Sequence, residues 1–254
     1  MVKKLFIIFM LVFFAGIVIY LGYDFKLNVP TSGAPPYGES SEDVPEVSKS
    51  FEEVWVRPEG PAKVGLQAGH WKNSELPDEL EKLKGSTGSS GGGKAEWEVN
   101  LAIAEEVASI LKQQGIEVDI LPATVPKDYF ADVFLSIHAD GNLNPAISGF
   151  KIARSWRDYT GKATRLVDIL YNSYRKATEL PQDLNGVSRN MRGYYAFSWW
   201  RYDHAIHRMT TAAIIETGFL SNYSDRNFLI NNTEKVAKGI ADGIIEYLEV
   251  ESLL

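Results

Sequence analysis

Three short, almost continuously apolar segments constrain the fold of this chain more than any other feature. They read AKVGLQA, ADVFLSI and TAAII within the predicted strands AKVGLQAGH, ADVFLSIHAD and TAAIIETGF, and longer amphipathic stretches separate them along the chain. Strands that are apolar at nearly every position are typical of a parallel sheet whose two faces are both covered. The alternation therefore predicts a single α/β domain with a mostly parallel, twisted sheet flanked by helices.

The stretches between these segments carry the helical period. Residues 96–114 place Ile103, Val107 and Leu111 on one face, and Gly115 follows as a stop signal. Similar patterns predict helices over residues 160–178, 225–231 and 234–249, and two further strands at EVDILPA and GFKIARS. In an open parallel sheet, ligands bind beyond the carboxyl ends of the strands, so functional residues are expected there.

Residues 1–23 contain an uncharged, apolar run from position 5 to position 22. A helix over those 18 residues is about 27 Å long, close to the ~30 Å hydrocarbon core of a bilayer. Lys3 and Lys4 precede the run, which predicts a single-pass anchor in the cell membrane with the rest of the chain outside the cytoplasm. The alternative is a signal peptide whose cleavage releases a secreted protein, although its apolar region is normally shorter.

Residues 24–60 differ in composition from the rest of the chain. They hold five prolines, and their eight acidic residues outnumber three basic ones. Such a stretch buries little apolar surface. It predicts a disordered linker between the membrane anchor and a folded domain over residues 61–254.

The overall composition excludes several kinds of site. The formal net charge is −7 at pH 7, whereas a nucleic-acid binder needs a basic surface to neutralise phosphates, so no nucleic-acid partner is predicted. The chain has no cysteine, which rules out disulfides, cysteine-based zinc sites and a cysteine nucleophile. A metal site built on histidine must draw on the four histidines of the chain.

Ionisable residues end the three apolar segments. His70 ends GLQAGH, His138 ends FLSIH and Glu216 ends AIIE. Parallel strands would bring all three to one edge of the sheet, and Glu96 would face that edge from the first turn of the first long helix. Each residue alone has an ordinary structural interpretation, such as a carboxylate that complements a helix dipole. Burying all four together is costly unless they are paired or bound to a metal.

Two histidines and one carboxylate form a common catalytic zinc set, which leaves one coordination position open for water. Zinc lowers the pKa of that water to about 7 and polarises a carbonyl oxygen. A second carboxylate can take the water proton and pass it to a leaving nitrogen. These residues therefore predict zinc-dependent hydrolysis of an amide, although the helix pattern alone leaves Glu96 and Glu98 equally placed.

Four blocks, GLQAGH, EWEVNLAIA, FLSIHAD and IIETGFLSN, occur in that order and resemble the signature blocks of the zinc-dependent N-acetylmuramoyl-L-alanine amidases of the Amidase_3 family. The resemblance implies that His70, Glu96 and His138 bind Zn²⁺, which favours Glu96 over Glu98. It implies that Glu216 is the general base and acid for a zinc-activated water. The implied reaction cuts the amide between N-acetylmuramoyl and L-alanine in peptidoglycan, so the implied partners are glycan strands and stem peptides.

The resemblance extends over roughly residues 62–249, and its departures lie around the four key residues. Trp71 follows the first histidine where a small residue is usual, and Asp140 replaces the usual Asn after the second. Residues 188–208, here called the aromatic segment, are unusually rich in aromatic and basic side chains. They either pack as a hydrophobic lid or core, or line a substrate groove. The groove interpretation rests on Arg189, Arg192, Tyr194, Trp199 and Trp200.

Two histidines fall outside the predicted site, and two alternative functions stay open. His204 and His207 lie away from the strand ends and match no family ligand, so they are predicted not to bind zinc. A zinc peptidase that cuts within the stem peptide would share the same chemistry. A non-catalytic wall-binding domain of the same fold is disfavoured because all four key residues are present.

Overall fold

The computed structural model describes residues 55–183 and 186–254. The predicted membrane anchor at residues 1–23 lies outside the described residues, as does most of the predicted linker. Within the part of the chain that is described, no helix is long and apolar enough to cross a membrane. The compact unit that contains the described sheet runs over Arg57–Leu254.

Five strands form the central sheet. The strands of the described chain are β1 (Lys63–Ala68), β2 (Ser90–Gly91), β3 (Lys94–Ala95), β4 (Glu117–Leu121), β5 (Val133–Asp140), β6 (Lys151–Arg154) and β7 (Thr211–Phe219). The sheet has the order β4-β1-β5-β7-β6, and all neighbours are parallel except β6, which runs antiparallel to β7. The prediction of a mostly parallel sheet is confirmed. The hairpin of β2 and β3 was not predicted.

Four of the five α-helices of the described chain lie where the periodicity placed them, and the short helix Arg189–Arg192 was not predicted. They are α1 (Glu96–Gln113), α2 (Ala163–Thr178), α3 (Arg189–Arg192), α4 (Tyr223–Asn231) and α5 (Thr233–Val250). At the start of α1 the Glu98 carboxylate accepts a hydrogen bond from the Ala95 N–H at 2.8 Å. Just beyond its end, Gly115 adopts a φ of +79°, a left-handed conformation that suits glycine.

The two faces of the sheet are covered by different kinds of structure. Leu135 and Ile215 point to one face, here called the helical face, which packs against α1, α2 and α5. Phe134 and Ile214 point to the opposite face, here called the segment face. The aromatic segment covers that face with short helical turns rather than a long helix. The expectation that helices flank the sheet holds fully for one face only.

Candidate metal centre and active site

The three predicted ligands lie together at the carboxyl-terminal edge of the sheet. His70 follows β1 by two residues, His138 lies near the end of β5, and Glu96 is the first residue of α1. One potential ligand atom from each lies within 4.8 Å of those of the other two. Glu96 Oε1 is 3.0 Å from His138 Nδ1 and 3.5 Å from His70 Nε2. The structure thus brings the predicted trio together.

Hydrogen bonds hold the outward-facing atoms of two of these side chains. His70 Nδ1 lies 2.7 Å from the carbonyl oxygen of Ser86, so Nδ1–H donates there and Nε2 faces Glu96. Glu96 Oε2 accepts a hydrogen bond from the Ser89 N–H at 2.6 Å. His70 and Glu96 therefore each turn their other potential metal-binding atom, Nε2 and Oε1, toward the centre of the trio.

Two glycines make room for the trio. A Cβ on Gly69 would lie 2.5 Å from His138 Nδ1, and a Cβ on Gly88 would lie 2.3 Å from Glu96 Oε2. Gly88 also has a φ of +72°, which other residues rarely adopt. Sequence analysis missed this role of the Gly/Ser-rich loop, residues 85–93. The available signal was a run of small residues directly before the helix that carries Glu96.

Burial and charge act against each other within the trio. Burial alone would raise the pKa of Glu96, but the hydrogen bond from His138 and the charges of both histidines lower it to about 2. Burial lowers the pKa of His70, so this imidazole is neutral at pH 7. Burial would also lower the pKa of His138, but the hydrogen bond with Glu96 and the charge of Glu216 raise it.

Glu216 lies beside the trio, inside β7. It is in register with His138 on β5 and with Lys151 on β6. Its Oε2 is buried and has no hydrogen-bond partner among the described residues. Burial, together with the charges of Glu96 and Asp140, raises the pKa of Glu216 to about 8. The predicted strand TAAIIETGF is confirmed, because β7 continues beyond Glu216 to Phe219.

The sequence over residues 64–246 matches Amidase_3, described as N-acetylmuramoyl-L-alanine amidase, and the match spans more than half of the chain. The chain belongs to the Amidase_3 family. Among curated relatives, AmiA from Salmonella typhimurium is 27% identical over 206 residues, which cover 63% of this chain and 71% of the relative. AmiA from Escherichia coli is 26% identical with the same coverage. The prediction of an enzyme of the N-acetylmuramoyl-L-alanine amidase type is confirmed.

Solved structures agree with this membership. The catalytic domain of CwlV, an amidase from Bacillus (Paenibacillus) polymyxa, is 25% identical with a TM-score of 0.52, and the match covers 74% of this chain and 99% of that one. Ami1 from Mycobacterium smegmatis reaches a TM-score of 0.54 at 15% identity, covering 74% of this chain and 97% of its own. At that identity the second likeness supports the fold alone.

A cavity of about 730 Å³ opens beside the trio in this amidase. His70 and His138 line its inner end, and the helical turn Asp78–Leu83 lines one wall. The aromatic segment lines the other wall through Asn190, Gly193, Tyr194, Tyr195, Arg201 and Tyr202. Such a volume lies within the ~300–1,000 Å³ that is typical of ligand sites.

Both interpretations of the aromatic segment hold in part. Its Phe197 packs in the apolar cluster of the segment face, as a core residue does. Of the five residues predicted to line a groove, Tyr194 lines the cavity beside the trio. Arg192 instead stacks over Trp156 at 4.9 Å, and Trp199 packs on Trp200 with ring centroids 5.6 Å apart. Sequence analysis missed Tyr195, Arg201 and Tyr202 as cavity residues.

The two remaining histidines lie outside the trio. His204 Nδ1 lies 2.6 Å from Glu79 Oε1, and Glu79 also accepts hydrogen bonds from the backbone N–H groups of Asp203 and His204. His207 Nδ1 accepts a hydrogen bond from the Met209 N–H. Glu79 therefore ties the turn Asp78–Leu83 to the aromatic segment and joins the two walls of the cavity.

Proposed function

We propose that this amidase is zinc-dependent and hydrolyses the amide bond between N-acetylmuramoyl and L-alanine in peptidoglycan. One observation carries the proposal. His70, Glu96 and His138 converge next to a carboxyl group, Glu216, that has a buried oxygen without a partner among the described residues. Membership of the Amidase_3 family supports the choice of substrate.

The donor set suits Zn²⁺. Two imidazole nitrogens and one carboxylate oxygen are a usual catalytic zinc set, which leaves a fourth position open. Ligand atoms about 2.1 Å from one tetrahedral ion lie about 3.4 Å from one another. The separations of 3.0 Å and 3.5 Å from Glu96 Oε1 to His138 Nδ1 and His70 Nε2 are close to that value. When bound, Zn²⁺ supplies a Lewis acid for the carbonyl oxygen and lowers the pKa of water to about 7.

Glu216 is the proposed general base and acid. Its pKa of about 8 reflects burial near other carboxylates, and a cation bound by the trio would lower that pKa and favour the ionised form. The ionised carboxylate accepts the proton of the attacking water. The same group then donates that proton to the leaving amide nitrogen.

We also propose that the enzyme is anchored in the cell membrane. The uncharged apolar run in residues 1–23 supports a single-pass anchor, with residues 24–60 as linker and the catalytic domain outside the cytoplasm. Membrane fractionation of the full chain tests this. An anchored chain stays with the membranes after an alkaline wash, whereas cleavage would leave a shortened protein in the medium.

Product analysis tests the reaction. The full chain is incubated with purified peptidoglycan, and the released material is identified by mass spectrometry. The proposed reaction releases intact stem peptides with L-alanine at their amino end. Shortened stem peptides would instead indicate a peptidase acting within the stem. Treatment with a chelator should abolish release, and added Zn²⁺ should restore it.

Two glutamates of one helix provide a matched control for the metal site. Glu96 points into the trio, whereas Glu98, two residues later, accepts a hydrogen bond from the Ala95 N–H. Glu96→Gln should therefore lose both zinc and activity, and Glu98→Gln should keep both. Equal zinc content in the two variants would contradict the proposed ligand set.

A further inference from the structure

We infer that the hydroxyl of Tyr194 positions His138 by accepting a hydrogen bond from its Nε2–H, so that His138 presents Nδ1 to the metal. The inference rests on the proposed zinc site and adds a residue outside the trio and Glu216. Tyr194 belongs to the aromatic segment and is 56 positions from His138 along the chain. Its hydroxyl lies 3.3 Å from His138 Nε2, and the two ring centroids are 5.5 Å apart.

Gln67 sets the direction of the hydrogen bonds around Tyr194. Gln67 is fully buried on β1, and its amide nitrogen lies 3.0 Å from the carbonyl oxygen of Ala123. A carbonyl oxygen can only accept, so that atom of the side-chain amide must be the donor and Oε1 the acceptor. Oε1 lies 2.8 Å from Ser136 Oγ and 2.9 Å from the Tyr194 hydroxyl. Both hydroxyls therefore donate to Gln67.

The single proton of the Tyr194 hydroxyl is thereby committed. If that proton pointed to His138 instead, the Tyr194 and Gln67 oxygens would face each other at 2.9 Å without a hydrogen between them. The Tyr194 hydroxyl oxygen consequently accepts a hydrogen bond from His138, and His138 Nε2 carries the hydrogen. Nδ1 donates its own proton to Glu96 Oε1 at 3.0 Å. With Nε2 protonated, loss of that Nδ1 proton leaves the lone pair of a neutral imidazole on Nδ1, where a metal can bind.

The same design recurs at the other two ligands. His70 is held through Nδ1 by the Ser86 carbonyl, and Glu96 is held through Oε2 by the Ser89 N–H. Tyr194 completes the set, so that every ligand has one atom fixed by a partner outside the trio. Such partners orient metal ligands, and losing one typically weakens metal binding about 10–100-fold.

Two adjacent tyrosines allow a matched test. Tyr194→Phe removes only the hydroxyl that faces His138. Tyr195→Phe removes a hydroxyl that bonds to Gln67 Nε2 and to the Ala123 carbonyl and lies 3.5 Å from the Tyr194 hydroxyl, but contacts none of the three proposed ligands. Zinc Kd is measured for the full chain by competition with a chromophoric chelator, and the geometry of the site by the visible spectrum of the Co²⁺-loaded protein.

The expected result is a zinc Kd about 10-fold or more weaker, with an altered Co²⁺ spectrum, in Tyr194→Phe. Tyr195→Phe should match the wild type in both. Thermal melting of the metal-free proteins shows whether either substitution unfolds the chain. In the zinc-loaded wild type, a nitrogen-15 spectrum of the histidine rings should show the His138 proton on Nε2.

Three results would overturn the inference, each in a distinct way. A zinc Kd for Tyr194→Phe equal to that of the wild type removes the positioning role while leaving the zinc enzyme intact. Equal weakening by both tyrosine variants shows that the hydroxyls act through general packing. A wild type that binds no Zn²⁺ overturns the proposed metal centre, and the role of Tyr194 with it.

Discussion

The two faces of the central sheet are covered by different kinds of structure, and the two faces have different roles. On the helical face, α2 and α5 pack so closely that a Cβ on Gly243 would lie 3.0 Å from Leu170 Cδ2. On the segment face, a mostly irregular chain covers the sheet, and the cavity opens there. The face with regular helices carries packing and supplies Glu96 from the start of α1, whereas His138, Glu216 and the cavity lie toward the face with irregular cover.

Strand β5 shows how one sequence serves both faces. Leu135 and Ile137 belong to the apolar cluster of the helical face. Ser136 and His138 alternate with them, and they point to the segment face because successive side chains of a strand point to opposite sides. A continuously apolar strand would only add stability. Placing polar residues at alternate positions near its end creates a site without exposing the core.

The largest expected effect comes from neighbouring substitutions on β5. His138→Ala should abolish both zinc binding and hydrolysis, because it removes a ligand from the trio. Ile137→Val should leave zinc binding intact and cost about 0.5–1.5 kcal/mol of stability, because this side chain faces the helices. Metal content and product release distinguish the two. If the His138→Ala variant retained zinc, the proposed difference between a metal-binding position and a packing position on β5 would be wrong.

Glu216→Gln should lower turnover by about 10²–10⁴-fold while zinc stays bound, because a proton acceptor is lost but no ligand is. Activity and metal content are measured on the same preparation. Undiminished turnover would remove Glu216 from the mechanism.

The pKa of Glu216 also predicts how the stability of the metal-free protein depends on pH. A carboxyl group whose pKa is about 8 in the folded protein and about 4.5 in the unfolded chain stabilises the fold only while it is protonated. Its contribution is complete below pH 4.5 and is lost as pH rises to about 8, a change on the order of 3–5 kcal/mol. Glu216→Gln should remove this pH dependence in urea unfolding with a chelator present. The same dependence of the free energy of unfolding on pH in the wild type and in Glu216→Gln would contradict this prediction.

On the helical face, Ile240→Ala should destabilise the protein by about 2–5 kcal/mol, because Ile240 is fully buried. The zinc Kd of the folded fraction should not change. Denaturant unfolding and chelator competition test the two statements. A marked loss of zinc affinity would show that the faces are coupled.

The smallest effect is expected at the joint between the cavity walls. Glu79→Gln weakens a partly exposed ion pair with His204 and should cost about 1 kcal/mol or less. Because the joint holds the turn Asp78–Leu83 against the aromatic segment, the KM for peptidoglycan should rise more than kcat falls. A fall in kcat alone would place Glu79 in the chemistry instead.

The framework of the protein follows from the amino-acid sequence alone. Apolar segments that alternate with periodic helices predict a mostly parallel sheet. The residues that follow such strands share one edge by geometry, so the strand pattern is enough to pair His70 with His138. Four blocks in order indicate the family and favour Glu96 over Glu98. These features are local or repeat along the chain, which is why a linear pattern reveals them.

The surroundings of that framework depend on tertiary packing. The contacts of Gly88 with Glu96 and of Tyr194 with His138 are made by loops. The periodicity of apolar residues, which predicts helices and strands, does not predict the conformation of these loops. The same holds for the raised pKa of Glu216, which results from burial by several elements at once. Burial and hydrogen-bond direction are properties of the packed molecule. The sequence therefore identifies the proposed ligands, whereas the fold shows which contacts hold those side chains in place.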